Sequence, residues 1–289
     1  MKKTIRTIYK FILCLSLFEC FLSARSLHAF LPTINEPTQE ELEYTSIQMG
    51  KTAVQLIQFG QNNEAIKLLK LAIKLNPKEK DLWITLAEAQ MRANKNHQAL
   101  LSLDEVIKLN PEEENTYFTK ASIYMELNDP KRAKDFVKKG LFINRNNERG
   151  YFQLGNAEIM LKNYKLALIA FKKSSKINSS FWQSINNEGL VLYELNNSQE
   201  AILKFKLALN ISQNAEPMLA LAILLYSSDS NSIESINLAK NALKADPQYI
   251  LKEYQTKQLW GEKLQKSAEL LFKNKKMQKS VREAKEKSQ

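Results

Sequence analysis

The sequence predicts an all-α solenoid of six helical hairpins, each 34 residues long, followed by a C-terminal capping helix. Three observations carry this. The first is a recurring word. LAIKLNP at 71–77 returns as EVIKLNP at 105–111, and further steps of 34 reach Ile143-Asn144, Ile177-Asn178, Ile211-Ser212 and Ala245-Asp246 without a slip. A fixed period of this size marks stacked supersecondary units rather than one closed core. The second is apolar spacing of three and four inside each unit, the signature of helices. The third is scarcity: 7 Gly and 7 Pro in 289 residues leave little material for the tight turns of an all-β chain.

The period divides 46–249 into units at 46–79, 80–113, 114–147, 148–181, 182–215 and 216–249. In the second unit, Trp83, Leu86, Ala87 and Gln90 share one face of a first helix, and Ala99, Leu103 and Val106 share a face of a second. Between them Asn94 stands where a left-handed residue lets the chain reverse, as do Gly60, Asn128 and Asn196 in other units. Asn110-Pro111 then stops the second helix, since proline constrains the residue before it and cannot continue a helix.

Outside the repeats the chain is less regular. Lys2, Lys3, Arg6 and Lys10 form a basic start, followed by the apolar run 11–24, which Glu19 interrupts. That run is shorter than a comfortable membrane span of about 20 residues and suits a signal-peptide core. Ala24 and Ala29 each have Leu at the third position back, so residues 1–30 are either a cleaved signal or an uncleaved anchor. Residues 31–45, with two prolines and an acidic cluster, read as a linker. Residues 250–272 place Tyr254, Trp260, Leu264, Ala268 and Leu271 among Lys and Glu and read as the capping helix that an end repeat needs. The Lys-rich 273–289 reads as a frayed or disordered basic tail.

Charge and chemistry exclude several functions. The net charge of +11 sits mostly at the ends: residues 1–25 carry five bases and one acid, and 273–289 carry seven bases and two acids. The body between is nearly neutral, and Lys outnumbers Arg by 35 to 7, so a nucleic-acid partner is not expected. Cys14 and Cys20, the only cysteines, lie in the leader, which leaves the body without disulfide or thiol chemistry. His28 and His97 are the only histidines. No His cluster for a metal or a triad and no Gly-rich phosphate loop is present, so neither catalysis, a cofactor nor a small-molecule substrate is expected.

The repeats resemble the tetratricopeptide family. Position eight of the units reads Ala53, Ala87, Ala121, Gly155, Gly189 and Ile223, and position twenty reads Ala65, Ala99, Ala133, Ala167, Ala201 and Ser235. Position twenty-four reads Leu69, Leu103, Val137, Phe171, Phe205 and Ala239. Small residues are needed at eight and twenty, where the two helices of a hairpin touch. The sixth unit departs most from the pattern. The resemblance implies a right-handed superhelix whose inner face, built from first-helix positions, holds a protein or peptide partner.

On that face the resemblance places Ile84, Glu88 and Met91 from the second unit, and Phe118, Ser122 and Met125 from the third. The fourth contributes Arg149, Phe152, Asn156 and Ile159, and the fifth Asn186, Leu190 and Tyr193. Apolar side chains would anchor a partner segment while the Asn amides bond its backbone in both directions. Arg92 and Arg149 are the only positive groups there and are accompanied by Glu88 and Glu126, so a clamp for a C-terminal carboxylate is not expected.

Basic leader, repeat body and a tail containing QLWGEKL also resemble the membrane-associated helper proteins of cyanobacteria and plastids. That implies a membrane-associated or exported scaffold assisting assembly of a membrane complex, photosynthetic in type. Lys273, Lys275, Lys276, Lys279 and Arg282 would then touch an anionic membrane surface, the plainer reading being a solubilising tail. Two alternatives belong to other classes: an exported envelope-assembly or binding protein, and an RNA-binding helical repeat.

Overall fold

A computed structural model of the protein describes residues 36–288. The leader at 1–30 and the first part of the linker lie outside the described residues. Among the described residues there are fifteen α-helices, two short 3₁₀ turns and no strand.

Twelve of the helices pair into hairpins. They are α1 (Gln39–Gln58) with α2 (Asn62–Leu75), α3 (Lys80–Arg92) with α4 (Asn96–Leu109), and α5 (Glu114–Glu126) with α6 (Pro130–Ile143). Next come α7 (Glu148–Met160) with α8 (Tyr164–Ile177), α9 (Trp182–Glu194) with α10 (Ser198–Ile211), and α11 (Ala215–Ser228) with α12 (Ile233–Ala245). From α3 onward each hairpin closes on itself and each second helix meets the first helix of the next hairpin.

The reversal inside each hairpin is local chemistry. Gly60, Asn94, Asn128, Lys162 and Asn196 all have φ between 56° and 75°, one in each of the first five hairpins at the same place in the period. Around Asn94 the amide of Lys95 reaches the Gln90 carbonyl and that of Asn94 the Met91 carbonyl, which ends α3 with its last acceptors satisfied. Lys162 adopts this conformation without the advantage Gly or Asn would bring. The sixth hairpin turns differently: its longer link, 229–232, contains no left-handed residue, and Ser232 caps α12 instead.

The contact between paired helices is set by reciprocal volumes. A Cβ on Gly189 would stand 2.7 Å from the Phe205 ring, and one on Gly155 would run into Phe171. Where position eight is Ala, position twenty-four is Leu or Val, as in Ala87 with Leu103 and Ala121 with Val137. The sixth hairpin inverts the order, with buried Ile223 at eight and buried Ala239 at twenty-four. Its departure from the family pattern is thus a swap that conserves core volume, the kind of change packed interiors tolerate best.

Three expectations need correction. The linker does not run to 45, because α1 begins at Gln39. The Glu41 amide donates to Thr38 Oγ1 at 3.2 Å while the Thr38 amide donates to Glu41 Oε2 at 2.8 Å, a reciprocal capping box that starts the helix inside the acidic cluster. Residues 250–272 are not one helix either. A 3₁₀ turn (Pro247–Ile250) leads to α13 (Lys252–Lys257), Leu259 turns the chain at φ 63°, and α14 (Glu262–Phe272) follows. Finally, the basic tail is folded: after a 3₁₀ turn (Lys275–Met277), α15 (Gln278–Lys287) packs on α12, burying Met277 completely and Ala284 almost so. Its lysines face outward, but one apolar stripe covers the end of the last hairpin.

Candidate functional site

The first helices α3, α5, α7, α9 and α11 carry the residues expected to meet a partner. The structure divides them into an open set and a covered set.

The open set lies on α3, α5 and α7. Ile84, Glu88 and Met91 line one cavity of ≈ 290 Å³ together with Ala87, Asn115 and Thr119. Met125 keeps part of its surface free, and Arg149 is exposed. Glu88 and Arg92 form an i,i+4 ion pair at 3.0 Å, so Arg92 is already engaged by its neighbour. Ser122 accepts a hydrogen bond from Gln153 Nε2 at 2.8 Å, tying α5 to α7. Phe152 and Asn156 open instead into a larger cavity of ≈ 620 Å³, where Asn156 Oδ1 accepts from Asn187 at 3.0 Å.

Phe118 is a packing residue. A Cβ on Gly140 or Gly150 would stand 2.6–2.7 Å from its ring, so the ring is wedged between α6 and α7 and only 7% exposed. Ile159 is likewise sunk in a cluster with Ala167, Phe171 and Val191.

The covered set is on α9. Asn186, Leu190 and Tyr193 are 0%, 2% and 4% exposed, because the chain's own α14 lies against α9 and α11. Several contacts seat it. The indole Nε1 of Trp260 donates to Glu216 Oε1 at 2.9 Å, and Trp260 packs beside Tyr249 with ring centroids 5.5 Å apart. Glu194, at the end of α9, accepts from the Leu264 amide at 3.1 Å, placing a carboxylate on the N-terminus of α14 where free amides and the helix dipole favour it. Lys263 Nζ donates to the Tyr193 carbonyl at 2.9 Å and lies over the Tyr193 ring, whose hydroxyl pairs with Ser267 Oγ at 2.9 Å. Leu264, Ala268 and Leu271 fill the apolar contact. Lys263 is therefore one of the fasteners.

Burial pushes the Glu216 carboxyl up to about 7, although the Trp260 indole and the Asn186 amide both favour its charged form. Tyr249 and Tyr254 face the same carboxyl, and Asp246 and Lys257 line the same cavity.

Other buried charges escaped the sequence reading, among them Lys120 and Glu188. Both occupy position seven, where the second and fourth units have Leu86 and Leu154. Lys120 pairs with Asp104 of α4 at 2.5 Å, and Glu188 pairs with Lys204 at 2.6 Å while accepting from Ser175 at 2.5 Å. Polar residues at an apolar slot were the available signal. Among the described residues no group of three His, Cys, Asp or Glu is placed to hold a metal, and no helix is long and apolar enough to cross a membrane. Lys273, Lys275, Lys276, Lys279 and Arg282 are exposed around the C-terminal turn and α15.

A solenoid of helical hairpins is the architecture of a repeat protein. Residues 56–114 and 114–147 match tetratricopeptide repeat models. The fold is similar to that of PilF from Pseudomonas aeruginosa (TM-score 0.61, 17% identity, covering 76% of this chain and 98% of that one). It is also similar to PilW, a widely conserved type IV pilus biogenesis factor (TM-score 0.60, 16% identity, 76% and 97%). YrrB, a tetratricopeptide protein with an unusual peptide-binding site, aligns with TM-score 0.50 at 20% identity over 65% of this chain and 97% of its own. No curated protein matches the chain. The resemblance to cyanobacterial and plastid helper proteins finds no support in these similarities.

Proposed function

We propose that the protein is a non-enzymatic interaction scaffold that holds a segment of a partner protein on the inner face of α3, α5 and α7. All six hairpins act as tetratricopeptide units in this reading. The observation that carries it is the open cavity in which Ile84 and Met91 supply apolar contact beside Glu88 and Asn115. Apolar floor with a few polar groups at the rim is the composition of a peptide groove. The similarity of fold to YrrB, whose site binds a peptide, favours this use of the face. The basic, apolar leader and the exposed lysines of the C-terminal turn and α15 support work at a membrane surface, on behalf of a membrane-associated complex. Crosslinking followed by capture from native membranes tests the reading. The double change Ile84→Ala, Met91→Ala should lose the captured partner with helix content unchanged, whereas Leu101→Ser, on the exposed side of α4, should retain it. Equal loss from both variants would remove the inner face from consideration.

A further inference from the structure

What covers α9 and α11 has the form of a ligand. Residues 252–272 make no repeat of their own and meet the inner face through a short apolar stripe, Leu264, Ala268 and Leu271, and through hydrogen bonds from Trp260, Lys263 and Ser267. An amphipathic helix laid in a groove with anchors at these spacings is a recurrent mode of peptide recognition. The fit is incomplete. Cavities of ≈ 620 and ≈ 550 Å³ border the segment, so it bridges open space where a hairpin contact would be filled. Its central turn depends on Leu259 at φ 63°, a conformation unfavourable for a residue with a branched side chain. Both ends are fixed elsewhere, by Tyr249 on one side and by Met277 and Ala284 against the last hairpin on the other. The segment is a strap held at both ends.

We infer that the inner face of hairpins five and six is a helix-binding surface occupied by the chain's own residues 252–272, and that its outside partner is an amphipathic helix bearing an indole four residues ahead of a Leu-x3-Ala-x2-Leu face, which exchanges with the strap. This does not depend on what binds α3, α5 and α7. The resident strap, being tethered, competes at high effective concentration, so an outside helix binds with its intrinsic affinity reduced by the small fraction of open molecules.

The test uses the full-length chain and a fluorescent synthetic peptide of residues 250–274, with binding followed by anisotropy. Trp260→Ala in the chain weakens the strap but leaves the groove intact, and should tighten peptide binding about tenfold or more over the unaltered chain. A peptide carrying the same Trp→Ala change should lose that gain. Equal binding to both chains, or none, overturns the inference. Hydrogen exchange on the unaltered chain decides independently of whether the variant folds. Amides of 262–272 should exchange about tenfold or more faster than those of α9 and α11, through a local opening. Exchange at the same rate would make the strap an integral part of the core and overturn the inference as well.

Discussion

The Trp260 indole donates across 2.9 Å to Oε1 of Glu216, joining the C-terminal strap to the first turn of α11. The carboxyl that receives it has been lifted by burial from 4.5 to about 7. A carboxyl whose folded value is raised favours the folded state while it is protonated in both states. That contribution is complete below about 4.5 and declines as pH rises through 7. Thermal melts between pH 4.5 and 8.5 should show a fall in Tm over this window that Glu216→Gln lacks, because an amide keeps an acceptor for the indole without a charge. Parallel profiles for the two proteins would assign the pH dependence to another group.

The reciprocal volumes at positions eight and twenty-four lead to a double-mutant cycle. Gly189→Ala should cost about 1–3 kcal/mol, since the new Cβ stands 2.7 Å from Phe205. Adding Phe205→Leu recreates the Ala87 and Leu103 pairing and should recover part of that loss, with a coupling of about 1 kcal/mol. Strict additivity in chemical denaturation would show that the two side chains do not meet.

Deleting 273–289 should lower Tm and loosen α12 first, because Met277 and Ala284 are buried against the last hairpin. Met277→Ala alone should cost about 2 kcal/mol or more. An unchanged melt for the truncated chain would reduce α15 to a passenger.

The Lys120–Asp104 pair predicts an asymmetry. Asp104→Ala leaves an ammonium only 3% exposed without its partner and should destabilise by about 1–3 kcal/mol. Lys120→Met removes the demand altogether and should be close to neutral. Denaturation midpoints that rank the variants in the opposite order would contradict the pairing.

Much of the fold was legible in the sequence because repetition averages out local ambiguity. Asn94, Asn128 and Asn196 announced their left-handed turns, and Asn110-Pro111 marked the end of α4 where the structure has it. The groove was legible only in part. Periodicity assigns a residue to a helix face but says nothing of what covers that face, so Asn186, Leu190 and Tyr193 read as available when the strap lies on them. Phe118 was misread because its burial depends on two glycines, Gly140 and Gly150, on other helices. Residues 250–272 have no period, and their destination is set by long-range partners such as Glu216 and Glu194, far from them in sequence.

The matched pairs at eight and twenty-four also constrain how such a chain can be rearranged. A first helix carrying Gly189 presumes the ring of Phe205, and one carrying Ile223 presumes Ala239. Recombination that joined the first helix of hairpin five to the second helix of hairpin six would leave Gly facing Ala and open a void. The reverse splice would set Ile against Phe and crowd the same contact. The portable cassette is therefore the whole hairpin. Duplication, loss or grafting that cuts between hairpins preserves each of these pairings, while a cut at the intrahairpin turn breaks one.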